Sequence, residues 1–285
     1  MTGDRLAGFR RTVLERGSEL YRDLPWRRSR DPYEVWVSEV MLQQTQVARV
    51  DGRWQHWLGR FPTVDALAAA STADVLDEWQ GLGYNRRAVA LLRAAQAISA
   101  SGGRVPSDRA ALVALPGVGP STAAGIRAFA FDLPATYLET NVRAVFLHEL
   151  FPTDDRVPDS ELLPLVEATC PSDSHDPVDD PRTWYFSLLD YGAWLKRSVP
   201  NPTRRSLSHV RQSRFEGSHR QKRAETLRVL LAHGEGATLE DVRRELIEDD
   251  RGVGRIELDA DEVLSILEEL RNEGMCTSNG GLWQV

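Results

Sequence analysis

Up to about residue 250 the chain shows no sustained strand-type alternation, and this limits its architecture more than any other feature. Apolar residues recur instead at helical spacing. Helices are read at about 4–21, 31–48, 51–59, 63–70, 72–79, 85–101, 108–114, 120–130, 140–151, 159–169 and 180–195. Pro62, Gly81, Gly83, Gly102, Gly103, Pro106 and Pro116 punctuate them, and Asp154 to Pro158 and Pro171 to Pro181 read as acidic, proline-bearing loops. The prediction is an all-α fold. At 285 residues there is room for two or three domains. From about 217 the character changes. Helical segments at 218–233, 238–248 and 260–273 precede "MCTSNGGLWQV", where Asn279-Gly280 between β-prone runs signals a two-residue hairpin. A small winged-helix-like module is expected there, with an ordinary helical packing domain as the alternative.

Composition removes several function classes. No apolar run reaches membrane-spanning length, and "MTGDRLAGFRRTVLERG" lacks the apolar stretch of a signal peptide, so a cytoplasmic chain is expected. Cys170 and Cys276 are the only cysteines and the six histidines are scattered, so no metal site is expected. The net charge of −7 conceals an asymmetry: Lys196 to Arg223 holds nine Lys or Arg and one acid, Glu216, leaving −15 for the remainder. With Pro, Asn, Ser and Gly between its charges, this stretch reads as a loop tracking a polyanion, against a solvated surface as the plainer alternative. Its candidate contacts are Lys196, Arg197, Arg204, Arg205, Arg211 and Arg214.

Two stretches carry chemistry. In "LPGVGPSTAAGIRAFAF", Gly117 and Gly119 let the backbone approach an anion, and the helix that follows offers N–H groups around Ser121 and Thr122. This is a phosphate-gripping hairpin that holds DNA without reading its sequence. In "DPYEVWVSEVMLQQTQVARV" an apolar helical face runs beside Glu39, Gln43 and Gln46, with Gln44 adjacent and no basic residue before Arg49. Taken alone, that is a partly exposed polar stripe.

In order along the chain stand "LPWR", "DPYEVWVSEVMLQQTQV", "RFPTVDALAAAS", "GLGYNRRA", "LPGVGPSTAAGI" and "LETNVRAV". With these the chain resembles the helix-hairpin-helix DNA glycosylases, and among them the MutY-type adenine glycosylases. The resemblance implies a two-lobed fold: a six-helix domain at 25–130 carrying the hairpin, a second helical domain from 1–24 and 131–216, and the module at 217–285. It implies a monofunctional glycosylase that cuts the N-glycosidic bond of adenine opposite 8-oxoguanine or guanine, a monomer acting on duplex DNA with a mispaired or damaged base. Glu39 matches the acid that protonates adenine at N7, a role that needs a carboxyl kept protonated by an apolar setting such as Trp36, Val40 and Met41. Gln43 and Gln44 match interface glutamines, and Tyr84 a tyrosine lining the base pocket. Glu139 stands where the family has an aspartate that stabilises the sugar cation, followed by the matching Asn141; a helix-start carboxylate is the alternative role for Glu139. Ser121 replaces the lysine of strand-nicking relatives and cannot form an imine.

Three departures accompany the resemblance. The four cysteines of the family's iron–sulfur cluster are absent from "LKRSVPNPTRRSLSHVRQSRF", so no cofactor is expected and the basic loop takes that place. Only the short tail stands where the family has a domain inspecting 8-oxoguanine. Asn85 occupies a position often aromatic. A glycosylase acting on another mismatched or modified base, or a non-catalytic DNA-binding regulator, are the rival readings.

Overall fold

A computed structural model describes residues 2–172, 180–209, 214–250 and 258–285. Arg211 and most of the acidic loop expected from Pro171 to Pro181 lie outside these residues. Along the chain run α1 (Gly3–Glu19), α2 (Pro32–Leu42), α3 (Val47–Val50), α4 (Arg53–Arg60), α5 (Val64–Ala68), α6 (Thr72–Glu78), α7 (Arg86–Ala100) and α8 (Arg109–Val113). Then follow α9 (Pro120–Phe131), α10 (Thr140–Leu150), α11 (Asp159–Thr169), α12 (Pro181–Ser198), α13 (His219–Ala232), α14 (Leu239–Asp250) and α15 (Ala260–Asn272). The strands are β1 (Ala237–Thr238), β2 (Thr277–Asn279) and β3 (Leu282–Gln284). No described helix is long and apolar enough to cross a membrane.

By internal contacts the chain sorts into two units, Met1–Val40 with Val105–Arg211 and Met41–Arg104 with Gln212–Val285. The divisions read from the sequence at 24/25, 130/131 and 216/217 fall elsewhere. The hairpin helices join the first unit because α9 buries its apolar face there: Phe129 shares one core with Phe9 and Val13 of α1, Phe146 of α10 and Trp184 and Leu188 of α12. The Phe9 ring lies 4.8 Å from Phe146 and 6.0 Å from Trp184, and each such buried side chain contributes about 1.5–3 kcal/mol. "LPWR" has a structural task. Buried Arg27 grips Asp190 of α12 through both carboxylate oxygens, at 2.6 and 2.8 Å, a bidentate pair that fixes the turn before α2.

In the second unit, α5, α6 and α7 close around Leu67, Leu76 and Leu91, with Trp57 edge-on to Trp79 at 5.5 Å. The C-terminal segment forms three helices and a sheet in the order β1-β3-β2, with Ala237 and Ser278 flanking Trp283. That is the winged-helix-like module, but its hairpin turns at Gly280 and Gly281, both at positive φ, and not at Asn279-Gly280 as expected: Asn279 belongs to β2 and pairs with Leu282. Thr238 of β1 falls where the sequence predicts the first residue of a helix, since a two-residue strand is too short to show alternation.

One helix differs in length. The segment expected as helix over 31–48 stops at Leu42, and Gln44 adopts φ +52°. The guanidinium of Arg87 donates to the carbonyls of Met41 at 3.1 Å and Gln43 at 2.7 Å and to Thr45 Oγ1 at 3.1 Å. It thereby satisfies terminal carbonyls that further helix would have used.

Candidate active site

α2 presents Glu39, and two features of the first unit make a seat for its carboxyl. The first is Gly125 of α9, where a Cβ would fall 2.1 Å from Glu39 Oε2; only glycine leaves that volume open. The second is Tyr137, whose hydroxyl donates to the same oxygen at 3.2 Å. Removal of water from around the carboxyl pushes its pKa up to about 8, with the Tyr137 hydrogen bond and Arg27 opposing and the negative charge of Glu139 assisting. Glu39 therefore holds its proton at neutral pH.

Glu139 is built differently. It caps α10, with Oε1 accepting the N–H groups of Asn141 at 2.6 Å and Val142 at 3.0 Å. Its pKa is also raised by desolvation, but the two N–H groups, Lys196 and Arg143 all favour the charged form. Asn141 Nδ2 donates to Oε2 at 3.4 Å, and Asn141 Oδ1 in turn accepts from Lys196 Nζ at 3.0 Å. Glycine at 192 lets α12 approach this point, since a Cβ there would lie 2.1 Å from the Asn141 carbonyl oxygen. The helix-start and sugar-facing readings of Glu139 are compatible, because the cap occupies chiefly one oxygen.

The first unit thus gathers Glu39, Glu139 and Asn141 and adds two residues that sequence reading did not single out, Gly125 and Tyr137; Lys196, expected as a DNA contact of the basic loop, reaches Asn141. Tyr137 had one signal. It precedes Glu139 by two outside any helix, a spacing that in extended backbone sends both side chains to one face.

The hairpin also lies in this unit. Gly117 turns between α8 and α9 at φ +74°. Gly119 caps α9 without a side-chain bond, Val118 is buried as an anchor, Ser121 is exposed and Thr122 is buried. An exposed loop ahead of an uncapped helix start is what backbone contact to phosphate requires.

In the second unit stand Gln43, Gln44 and Tyr84. Arg87 joins their loops, donating also to the carbonyls of Leu82 at 3.1 Å and Gly83 at 2.9 Å. Tyr84 sits at φ +51° and is 38% exposed. Arg220 of α13 donates to its hydroxyl at 2.9 Å. Two non-glycine residues in the left-handed region, both at the predicted DNA face, mark stored backbone strain.

The basic stretch divides in role. Lys196 reaches Asn141, and the Arg197 Nε donates to the Ala193 carbonyl at 3.2 Å. Arg204 is exposed, whereas Arg205 donates to carbonyls at the end of α10, that of Leu147 at 2.9 Å and that of Phe151, the residue capping it. Arg214 pairs with Glu216. The residues present do not fit an iron–sulfur cluster. Residues 201–207 are held by an Asn201 side-chain cap and by backbone bonds between Val157 and both Arg205 and Leu207, each 2.9 Å. No thiol lies in that loop, and no described group of three His, Cys, Asp or Glu is arranged to hold a metal.

Residues 37–192 match the family model of the HhH-GPD superfamily base excision DNA repair proteins. The chain is 37% identical over 226 residues to an adenine DNA glycosylase of Mycolicibacterium smegmatis, covering 73% of this chain and 75% of the relative. It is 48% identical over 127 residues to an adenine DNA glycosylase of Mycobacterium tuberculosis, covering 44% of this chain and 42% of that one. Among solved structures, a thermostable thymine-DNA glycosylase superposes with TM-score 0.58 at 25% identity, over 67% of this chain and 87% of the other. The family match takes in Glu39, the hairpin, Glu139 and the Arg27 partner Asp190, and the chain belongs to the HhH-GPD superfamily of base excision DNA repair glycosylases, on its MutY-like side.

Proposed function

We infer that this protein is a monofunctional DNA glycosylase that removes adenine mispaired with 8-oxoguanine or guanine, acting as a monomer on duplex DNA. The observation that carries the reading is the seat of Glu39, a carboxyl kept protonated at neutral pH, in the same unit as a second carboxyl, Glu139, whose Oε1 accepts the N–H groups of Asn141 and Val142. With the adenine extruded, Glu39 gives its proton to N7, and the C1′–N9 bond breaks with its electron pair passing to the base. The sugar is left as an oxocarbenium ion, which the Glu139 charge stabilises. Water then adds at C1′ and the released proton returns to Glu39. Ser121 offers a hydroxyl where an imine would need an amine, so the abasic strand stays intact.

The test is single-turnover excision from duplexes carrying adenine opposite 8-oxoguanine, adenine opposite guanine, or thymine opposite guanine, with alkali to reveal abasic sites. Cleavage of the adenine duplexes only after alkali, with no borohydride-trapped adduct, is expected. The thymine duplex is included because glutamate at 139 extends the sugar-facing arm by a methylene and the solved relative acts on thymine. Preferential thymine release would replace the adenine assignment. The same reading includes no iron–sulfur cluster, and stoichiometric iron and sulfide in fresh protein would overturn that part of it.

A further inference from the structure

Tyr137 is held as firmly as any group near Glu39. Its ring stands edge-on to Phe129 at 5.4 Å and to Tyr185 at 5.3 Å. Its backbone N–H donates to Tyr185 Oη at 3.2 Å, and the Tyr185 hydroxyl donates onward to the Ala135 carbonyl. Burial and the two neighbouring carboxyls raise the Tyr137 phenol well above its ordinary range, so it stays neutral and keeps its proton to donate. On its other side Glu39 Oε2 occupies the space that a Cβ at Gly125 would fill, and the same Cβ would lie 3.1 Å from Tyr137 Cε2. Oε2 is thus confined between a glycine and a hydroxyl donor.

We propose that Tyr137 is a positioning residue that engages Glu39 Oε2 as acceptor and leaves the transferable proton on Oε1. This rests on the reading of Glu39 as the acid. When Oε1 gives its proton to the leaving base, the negative charge that forms on the carboxyl is met by the Tyr137 O–H already in place. The hydroxyl therefore fixes which oxygen works as the acid and stabilises its conjugate base. The charged and titratable groups that act on Glu39 are Tyr137, Glu139 and Arg27, and Tyr137 alone among them bonds to it directly.

The experiment removes one oxygen. In Tyr137→Phe the ring contacts remain and the donor is lost. The Glu39 carboxyl is followed in the DNA-free protein by its infrared C=O absorption across a pH series, assigned by disappearance of the band in Glu39→Gln. Loss of a donor to the charged form raises a carboxyl pKa, so the transition is expected to move upward by about one pH unit. Single-turnover excision at the low-pH plateau should fall about tenfold, with its high-pH limb displaced in the same direction. Incorporating 3-fluorotyrosine at 137 keeps the fold and strengthens the donor, and the transition should then move downward. An unmoved transition in both variants overturns the proposal, as does a lowered melting temperature with unchanged pH dependence. Wild-type excision by Glu39→Gln would instead sink the acid reading, leaving the infrared shift to judge Tyr137 by itself.

Discussion

The Glu39 pocket of the first unit and the Gln43–Tyr84 loops of the second put charge to opposite uses. In the pocket, water is removed from a carboxyl until it keeps its proton to about pH 8. In the loops, one guanidinium collects carbonyls from two turns and holds them in place. The pocket spends folding energy on a group that would be more stable exposed, which is expected only where the proton has work to do. The loops gain order from their charge, and their strain is confined to Gln44 and Tyr84. A defect in the first should therefore appear in chemistry and pH dependence, and a defect in the second in stability and DNA engagement.

The largest expected effect is that of Glu39→Gln. Excision should fall by about 10³-fold, within the span of a lost general acid, while DNA affinity is retained. The fold should also become less sensitive to alkali. Glu39 holds its proton in the folded state up to about pH 8, whereas the unfolded chain releases it near the ordinary carboxyl value. The wild type therefore loses stability as pH rises between the two, and the amide does not. Melting curves at pH 6 and pH 9 for both proteins measure this, and identical alkaline losses would contradict the buried-acid account.

Gly125→Ala comes next. Its Cβ needs the place of Oε2, so the carboxyl must swing aside, and a shift of about 1 Å costs about 10²-fold in rate. Excision at wild-type level would mean that Oε2 has room the pocket does not display. Arg87→Met should act otherwise. Losing the bonds to both turns should destabilise the protein by about 2–3 kcal/mol and weaken duplex binding. The pH profile of excision should stay where it was, and a shifted profile would erase the contrast between the two regions.

The smallest effect belongs to Arg204→Glu. Arg204 is exposed, whereas Arg205 closes the end of α10, so the single reversal isolates the phosphate contribution. Affinity for lesion and undamaged duplex should drop by a similar few-fold factor, and the salt slope should fall by about 1. Loss confined to lesion duplex would assign the loop to recognition.

Much of this was legible in the sequence because it follows from local rules. Helical periodicity with Gly and Pro punctuation gave the all-α body. Asn279-Gly280 pointed to the terminal hairpin, whose turn falls one residue later at Gly280-Gly281, and the "LPGVG" turn with its small-residue helix start marked the hairpin between α8 and α9. Glu39 and Glu139 were singled out by the motifs that carry the family resemblance. Less visible were the partners that make them work. Tyr137 reaches Glu39 across 98 positions of sequence, and Lys196 reaches Asn141 across 55; no periodicity encodes such pairs. The glutamine stripe misled for a related reason, since Arg87 offered the Met41 and Gln43 carbonyls a donor in place of another helical turn.

Residue order alone therefore specifies where helices start and where the chain turns, because capping, glycine freedom and apolar spacing act within a few residues. It also specifies that two carboxylates and a hairpin are present. Folding supplies their chemical states. A carboxyl has an ordinary pKa until Gly125, Tyr137 and the surrounding core exclude water from it. At Glu139 burial raises the pKa, and the start of α10 and Lys196 oppose that rise only because the fold brings them to face it. Desolvation and through-space charge depend on distances between remote segments, and those distances exist only once the helices have packed.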